Sequence, residues 1–308
     1  MIQIYDTHRK LSLSNFKGSN YLTCPNCGKK RLKPYAYEDG RIENEILGRC
    51  QRESNCGYHL KPSDYFKDRG EKFFNETTFT KPIPKETYLL NKEMCEKLSD
   101  NFANSTLLDF FNRTGIDYSE VFKLYKVGAN RAGSTVFFQF DGITYRTGKI
   151  INYMPNGHRD KSDTVPVRWI HKLVKDFDES KQQIKQCFFG LHLAHEKNII
   201  CIVESEKTAL ICAGLFPQAV WLATGGRTQL QAVAISELPT GSRIILFPDT
   251  DSVIFWHEKV KSIGRCEVVN TVQFNKYRKD GADLADYLLE CGEEIARQTY
   301  IFVKNLLF

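Results

Sequence analysis

Two apolar runs decide the fold. Asn198-Ile199-Ile200-Cys201-Ile202-Val203 closes on Glu204, and Arg243-Ile244-Ile245-Leu246-Phe247-Pro248 closes on Asp249-Thr250-Asp251. A strand with one solvated face alternates apolar and polar residues, whereas an unbroken Ile/Val/Leu run reads as a parallel strand buried on both faces. Open α/β sheets bind ligands at the carboxyl ends of their strands. Three carboxylates gathered there, about 5 Å apart, would repel by roughly 3 kcal/mol per pair at an effective dielectric of ~20. A divalent cation relieves that repulsion, which makes Glu204, Asp249 and Asp251 candidate magnesium ligands for phosphoryl chemistry.

Around these runs, strand and helix signals alternate. Strands are predicted at 199–203, 220–223, 244–247 and 268–269. Helices are predicted from 204 to 213 with Gly214 as C-cap, near 229–236, over 253–263 with Gly264 as cap, and over 283–291. Such βαβ repetition implies a parallel, helix-flanked sheet. Upstream, helical patterning covers 89–98, 105–115 and 118–125. Strands then follow at 135–140, 143–146 and 149–153, with turns at Asp141-Gly142 and Thr147-Gly148, and again at 165–170.

The N-terminal region has a different character. Cys24-Pro25-Asn26-Cys27 and Cys50-x5-Cys56 stand 22 residues apart, and two such pairs supply four thiolates to a tetrahedral zinc ion. His59 is an alternative fourth ligand. Tyr21, Tyr35, Tyr37 and Tyr58 interleave here with Lys29, Lys30, Arg31, Lys33, Arg49, Arg52 and Lys61, as single-stranded nucleic acid requires. The same tyrosines would equally serve as packing around the metal. A polar stretch with Pro82 and Pro84 reads as a linker.

The 308 residues carry a formal charge of +6. Residues 1–70 hold 13 Lys+Arg against 8 Asp+Glu, and residues 191–308 hold 12 against 14. A basic module ahead of an acidic one fits a polyanion binder with a metal-dependent site. The remaining six of the ten cysteines are scattered in apolar surroundings and read as small buried hydrophobes. No run approaches the roughly 18 apolar residues of a membrane span, and no signal peptide is visible, so a cytoplasmic location is expected.

The acidic motifs also admit bland readings. Glu206 suits a helix N-terminus, Asp249-Thr250-Asp251 could cap the next helix, and Asp283 could cap the one after.

Taken in order, these features resemble bacterial DnaG-type primases of the phage and mobile-element kind. Residues 197–290 look like a TOPRIM domain: a strand ending in Glu204, a strand ending in Asp249-x-Asp251, and a downstream acidic segment with Asp283 and Asp286. Phe110-Phe111-Asn112-Arg113-Thr114-Gly115-Ile116 resembles the helical segment of these primases. Residues 135–153 resemble their strand hairpins, and Val167-Arg168-Trp169-Ile170 through Gly190-Leu191 their basic segment. Ser205 and Thr208 depart from the family pattern, and the Glu-x-Glu-Lys-Thr-Ala form is similar to TOPRIM proteins of phages and mobile elements.

The resemblance implies an α/β fold: a TOPRIM parallel sheet flanked by helices, preceded by an α+β subdomain and a small zinc-bound β module. The corresponding boundaries are 1–66 for the zinc module, 67–88 for a linker, 89–196 for the primase-core subdomain, 197–290 for TOPRIM and 291–308 for a C-terminal helix. It further implies Mg²⁺ or Mn²⁺ on Glu204, Asp249 and Asp251, with Asp283 and Asp286 as further catalytic acids. Arg146, Lys149, Arg168, Lys172, Lys185 and Lys207 would face template or triphosphate. The implied activity is synthesis of short RNA primers on single-stranded DNA from ribonucleoside triphosphates, with a helicase or mobile-element replication protein as partner. Two rival readings are a non-catalytic DNA-binding accessory and a TOPRIM nuclease that cleaves with the same acids.

Overall fold

The computed structural model describes residues 11–69, 85–162, 165–271 and 281–308. The chain divides into two compact units, Met1–Pro84 and Lys85–Phe308. In the first, strands β1 (Ser12–Leu13), β2 (Leu22–Thr23), β3 (Lys30–Ala36) and β4 (Gly48–Cys50) pair antiparallel around β3. Helices α1 (Glu53–Cys56) and α2 (Pro62–Lys67) follow. Pro62 sits at the start of α2, where its missing N–H costs nothing. Most of the expected linker lies outside the described residues, since 70–84 are not among them.

The second unit begins with β5 (Glu86–Thr87), then α3 (Lys92–Asp100), α4 (Thr106–Asn112) and α5 (Ser119–Leu124). An antiparallel sheet β6 (Gly128–Ala129), β7 (Thr135–Phe140), β8 (Tyr145–Ile151), β9 (Val167–Trp169) comes next, in that spatial order. Strand β10 (Gln182–Gln183) pairs in parallel with β5, a ribbon that the apolar pattern does not announce because its residues are polar and mostly exposed.

Then come β11 (Ile199–Val203), α6 (Glu206–Leu215), β12 (Val220–Ala223), α7 (Ala232–Ser236), β13 (Arg243–Leu246), α8 (Val253–Ile263) and β14 (Cys266–Val268). Helices α9 (Leu284–Leu289) and α10 (Glu293–Leu307) close the described chain. The four strands form a fully parallel sheet in the order β12-β11-β13-β14. Strand β12 is buried along its whole length and β11 from its second residue, as the continuous runs require. One continuous core joins this sheet to α4, α5 and β7 through Phe111, Phe122, Phe137 and Phe189. Trp221 and Trp256 are wholly enclosed in it, each contributing roughly 4–6 kcal/mol of transfer free energy.

Two glycine readings are corrected. Gly148 is no turn but lies within β8, because the Ile170 side chain and the Phe137 carbonyl approach so closely that a Cβ would sit 2.7 and 2.8 Å from them. Gly214 does not cap α6. The helix runs past it to Leu215, and a Cβ there would meet the Tyr118 ring at 2.4 Å. Both glycines are set by close packing, which a local turn signal cannot distinguish. Gly264, by contrast, ends α8 with φ of 66° as expected.

Candidate active site and zinc centre

The acidic rim is built from strand ends. Glu204 follows β11 and is buried. Its Oε1 accepts the main-chain N–H of Asp249 at 3.3 Å. Burial pushes the Glu204 carboxyl up, the Ser252 and Asp249 donors pull it back, and the Asp251 charge raises it again. Asp249 is held well above the ordinary carboxylate range by burial and then by the charges of Glu204, Asp283, Asp251 and Asp286. Five carboxylates therefore act on one another at this edge of the sheet.

Neither Asp249 nor Asp251 caps α8, because the residue at its N-cap is Ser252 and no side chain bonds to the first turn. Instead the loop between β13 and α8 is strapped to the segment before α9. Thr250 N–H donates to Ala282 O at 3.0 Å, Gly281 N–H donates to Thr250 Oγ1 at 3.0 Å, and the Gly281 backbone runs beside Asp251. Asp283 and Asp286 do have a structural task. They form a reciprocal capping box on α9, each side chain accepting the other's N–H at 3.0 Å. The Thr208 hydroxyl donates to Asp283 Oδ2 at 2.6 Å, and Ser205 caps α6 through Thr208 N–H.

Crowded carboxylate oxygens with raised proton affinity are the donor set for a hard divalent cation. Among the described residues, however, the rim acids do not form a group of three or more donors converging on one point. The expected convergence of Glu204, Asp249 and Asp251 on a single cation is therefore not seen among the described residues.

The expected cations divide by partner. Arg146 is the extra residue of a bulge in β8, where Gln139 pairs with Thr147 and Phe140 with Tyr145. Its guanidinium is consumed by Asp141 through Nε at 2.9 Å and by Glu237 through both terminal nitrogens at 3.0 and 2.6 Å. Lys149 is buried and pairs with Glu206 at 2.7 Å while donating to Gly225 O at 2.8 Å. Lys172 pairs with Glu179, and Lys207 donates to Gly157 O at 3.0 Å. Arg168 lies on β9 opposite Ile150, half-buried. Lys185 is exposed.

The Lys149–Glu206 pair replaces two separate expectations, Lys149 on template or triphosphate and Glu206 as a helix N-terminal acid. A lysine inside a buried strand requires a counter-charge, but which acid supplies it depends on how two sheets meet. Gly225, with φ of +79°, completes the trio, since a Cβ there would lie 2.6 Å from Lys149 Nζ and 3.2 Å from Glu206 Oε1.

In the first unit, Cys24, Cys27, Cys50 and Cys56 bring their sulfurs within 4.8 Å of one another. Cys24 ends β2 and begins a knuckle in which Gly28 N–H donates back to its carbonyl at 2.9 Å. Cys50 ends β4, and Cys56 ends α1 ahead of the left-handed Gly57. Burial pushes the Cys50 thiol up to about 12. Cys56 falls to about 7, where the Tyr58 N–H and neighbouring thiols outweigh desolvation. His59 is no ligand here. Its Nε2 meets Tyr35 OH at 3.0 Å and its Nδ1 meets Glu53 at 3.1 Å. The tyrosines are largely committed too, Tyr37 to Glu43 and Tyr58 to Ile46 O. Exposed or half-buried Arg31, Lys33 and Arg49 share one face of β3 and β4, with Arg49 in a part-exposed ion pair with Glu53 at 3.7 Å.

Comparison with known proteins agrees with this centre. Residues 9–71 match a family described as a zinc beta-ribbon finger, and residues 100–250 match a domain of unknown function, DUF6371. Ribbon and cysteine cluster together support a structural Zn²⁺. No curated protein matches the chain. Among solved structures, it is similar to the primase fragment of the bacteriophage T7 primase-helicase protein at 15% identity and a TM-score of 0.37, covering 83% of this chain and 94% of that one. It is similar to the zinc-binding and RNA polymerase domains of the Aquifex aeolicus primase at 14% and 0.41, covering 77% and 65%. The RNA polymerase domain of Mycobacterium tuberculosis primase DnaG follows at 12% and 0.34, covering 62% and 64%.

The structural neighbours are bacterial and phage primases. The chain thus spans a little under two thirds of the two bacterial primase chains. No helix among the described residues is long and apolar enough to cross a membrane.

Proposed function

We propose that this chain is a primase-like nucleotidyltransferase with a TOPRIM catalytic sheet, joining ribonucleotides on single-stranded DNA. The observation that carries the reading is the meeting of Glu204 and Asp249 at adjacent strand ends, joined through the Asp249 N–H at 3.3 Å, where burial and then four neighbouring carboxylates raise the proton affinity of Asp249. A fold tolerates such a cluster where function demands it. When bound, Mg²⁺ or Mn²⁺ would polarise the reacting phosphate and stabilise the pyrophosphate leaving group. One or two of Glu204, Asp249 and Asp251 would ligate it directly, with water and phosphate oxygens completing the shell, while Asp283 and Asp286 keep the neighbouring loop and helix in place. The chain's own contribution is position and field, with no covalent intermediate. The zinc module, with Arg31, Lys33 and Arg49 on one face, would hold the template.

One observation favours a second reading, a DNA-binding accessory of a phage or mobile element without synthesis. Arg146 and Lys149, expected on phosphates, are both saturated by acids of the same chain.

The test is incubation with single-stranded template, labelled ribonucleoside triphosphates and Mg²⁺ or Mn²⁺. Short RNA products lost in Asp249→Ala support primer synthesis. Template binding without products in either protein supports the accessory, and template fragments identify a nuclease.

A further inference from the structure

A cavity of about 700 Å³ lies in the 85–308 unit beside Arg146, and none of the five rim carboxylates lines it. That volume falls within the range of small-molecule sites. Its lining side chains are of two kinds. Arg146, Asp141 and Glu237 satisfy one another, Thr144 Oγ1 donates to Asp141 at 2.9 Å, and Thr224 Oγ1 donates to Gly226 O at 3.0 Å. These lining groups have their polar atoms already in use.

The remaining polar side chains of the lining are uncommitted. The side chains of Lys185, Gln186, Gln229 and Gln231 line the cavity and make no hydrogen bond or ion pair among the described residues. Leu89 and Val233 add apolar surface, 43% and 65% exposed. The charges cancel, Arg146 and Lys185 against Asp141 and Glu237. A track for a nucleic-acid strand needs a net positive lining. A neutral cavity rich in free amides, with apolar surface and a single free ammonium, matches something smaller. Its ligand would carry a flat ring edged with donors and acceptors, together with one small anionic group.

We propose that this cavity binds a single nucleoside monophosphate, separate from the acidic rim. The base would lie against Leu89 and Val233 with its edge on the glutamine amides, which pair naturally with a donor–acceptor edge. Lys185 would meet the phosphate. The inference does not depend on metal chemistry at the rim.

Calorimetric titration of the zinc-loaded full chain, in buffer without Mg²⁺ or Mn²⁺, with AMP, GMP, CMP, UMP and a thymidine oligonucleotide tests it. Saturable one-to-one binding of at least one mononucleotide is expected, weakened about tenfold in Gln231→Ala and in Lys185→Ala. It should be lost in Val233→Arg, an exposed position whose folding is checked by thermal melting, and it should be kept in Asp249→Asn. No saturable mononucleotide binding up to roughly 10 mM would overturn the proposal. So would binding of the oligonucleotide alone, or mononucleotide binding that survives Val233→Arg and disappears in Asp249→Asn. Because Mg²⁺ and Mn²⁺ are absent from this titration, failure here leaves the primer-synthesis assay unaffected.

Discussion

Glu204 accepts the main-chain N–H of Asp249, so the ends of two neighbouring parallel strands are joined through a carboxylate that also repels the Asp249 side chain. Both carboxyls are raised in the folded protein. A raised acid stabilises the fold fully below its unfolded pKa and loses that contribution as pH rises through the folded value. Cation-free protein at pH 8 therefore carries an electrostatic cost that Asp249→Asn removes. The variant should melt higher in EDTA at pH 8, by about 2–4 °C per kcal/mol relieved, and the difference should shrink toward pH 4. Added Mg²⁺ should raise the wild type more than the variant. A variant that melts at or below the wild type in EDTA at pH 8 would remove the crowding argument.

Lys149 and Glu206 are each less than a tenth exposed and link β8 of the antiparallel sheet to the first turn of α6. Removing one partner strands a buried charge, which costs about 3–5 kcal/mol. Lys149→Met and Glu206→Gln should each lower the denaturant midpoint markedly, while the double variant should recover part of the loss. Fully additive losses in the double-mutant cycle would show that the two groups are energetically independent.

The parallel sheet was legible because β11, β12 and the body of β13 are short unbroken apolar runs buried on both faces, whereas β14, Cys266-Glu267-Val268, gives only a weak signal. The cysteine cluster was legible because a four-thiolate site needs little beyond two suitably spaced pairs. The basic residues were not. Arg146 and Lys149 look alike in sequence to any phosphate-binding cation. Their commitment to Glu237 and Glu206 arises from residues 91 and 57 positions away, brought near only by packing. Asp283 and Asp286 show the intermediate case: their three-residue spacing predicts a cap, and the capping box is present. Their charge nevertheless reaches Asp249.

Gly214 offers a test in which helix propensity and packing oppose each other. Alanine is the better helix former by about 1 kcal/mol. At this position its methyl would overlap the ring of Tyr118, which is fully enclosed and donates its hydroxyl to Ile211 O at 3.2 Å. Overpacking of that kind costs about 1–3 kcal/mol, so Gly214→Ala should destabilise the protein. A second change, Tyr118→Leu, makes room for the methyl and should reverse the sign of the Gly214→Ala effect. If Gly214→Ala raises the melting temperature in the otherwise unchanged protein, the close approach is not a constraint.

The zinc centre predicts a loss confined to one unit. Residues 11–69 have only two small clusters, one of Cys24, Leu32 and Cys50 and one of Leu11, Leu47, Tyr65 and Phe66, so the ion is expected to add much to their stability. Structural zinc contributes about 10–16 kcal/mol of apparent binding free energy in small modules at neutral pH. One zinc per chain is expected by elemental analysis. Chelation, or Cys27→Ser, should expose residues 11–69 to rapid amide exchange while leaving protection across the parallel sheet unchanged, because that sheet's core contains none of the four cysteines. Uniform loss of protection through both units would contradict the separation, and unchanged protection of residues 11–69 after complete zinc removal would show that the ion is dispensable to the fold.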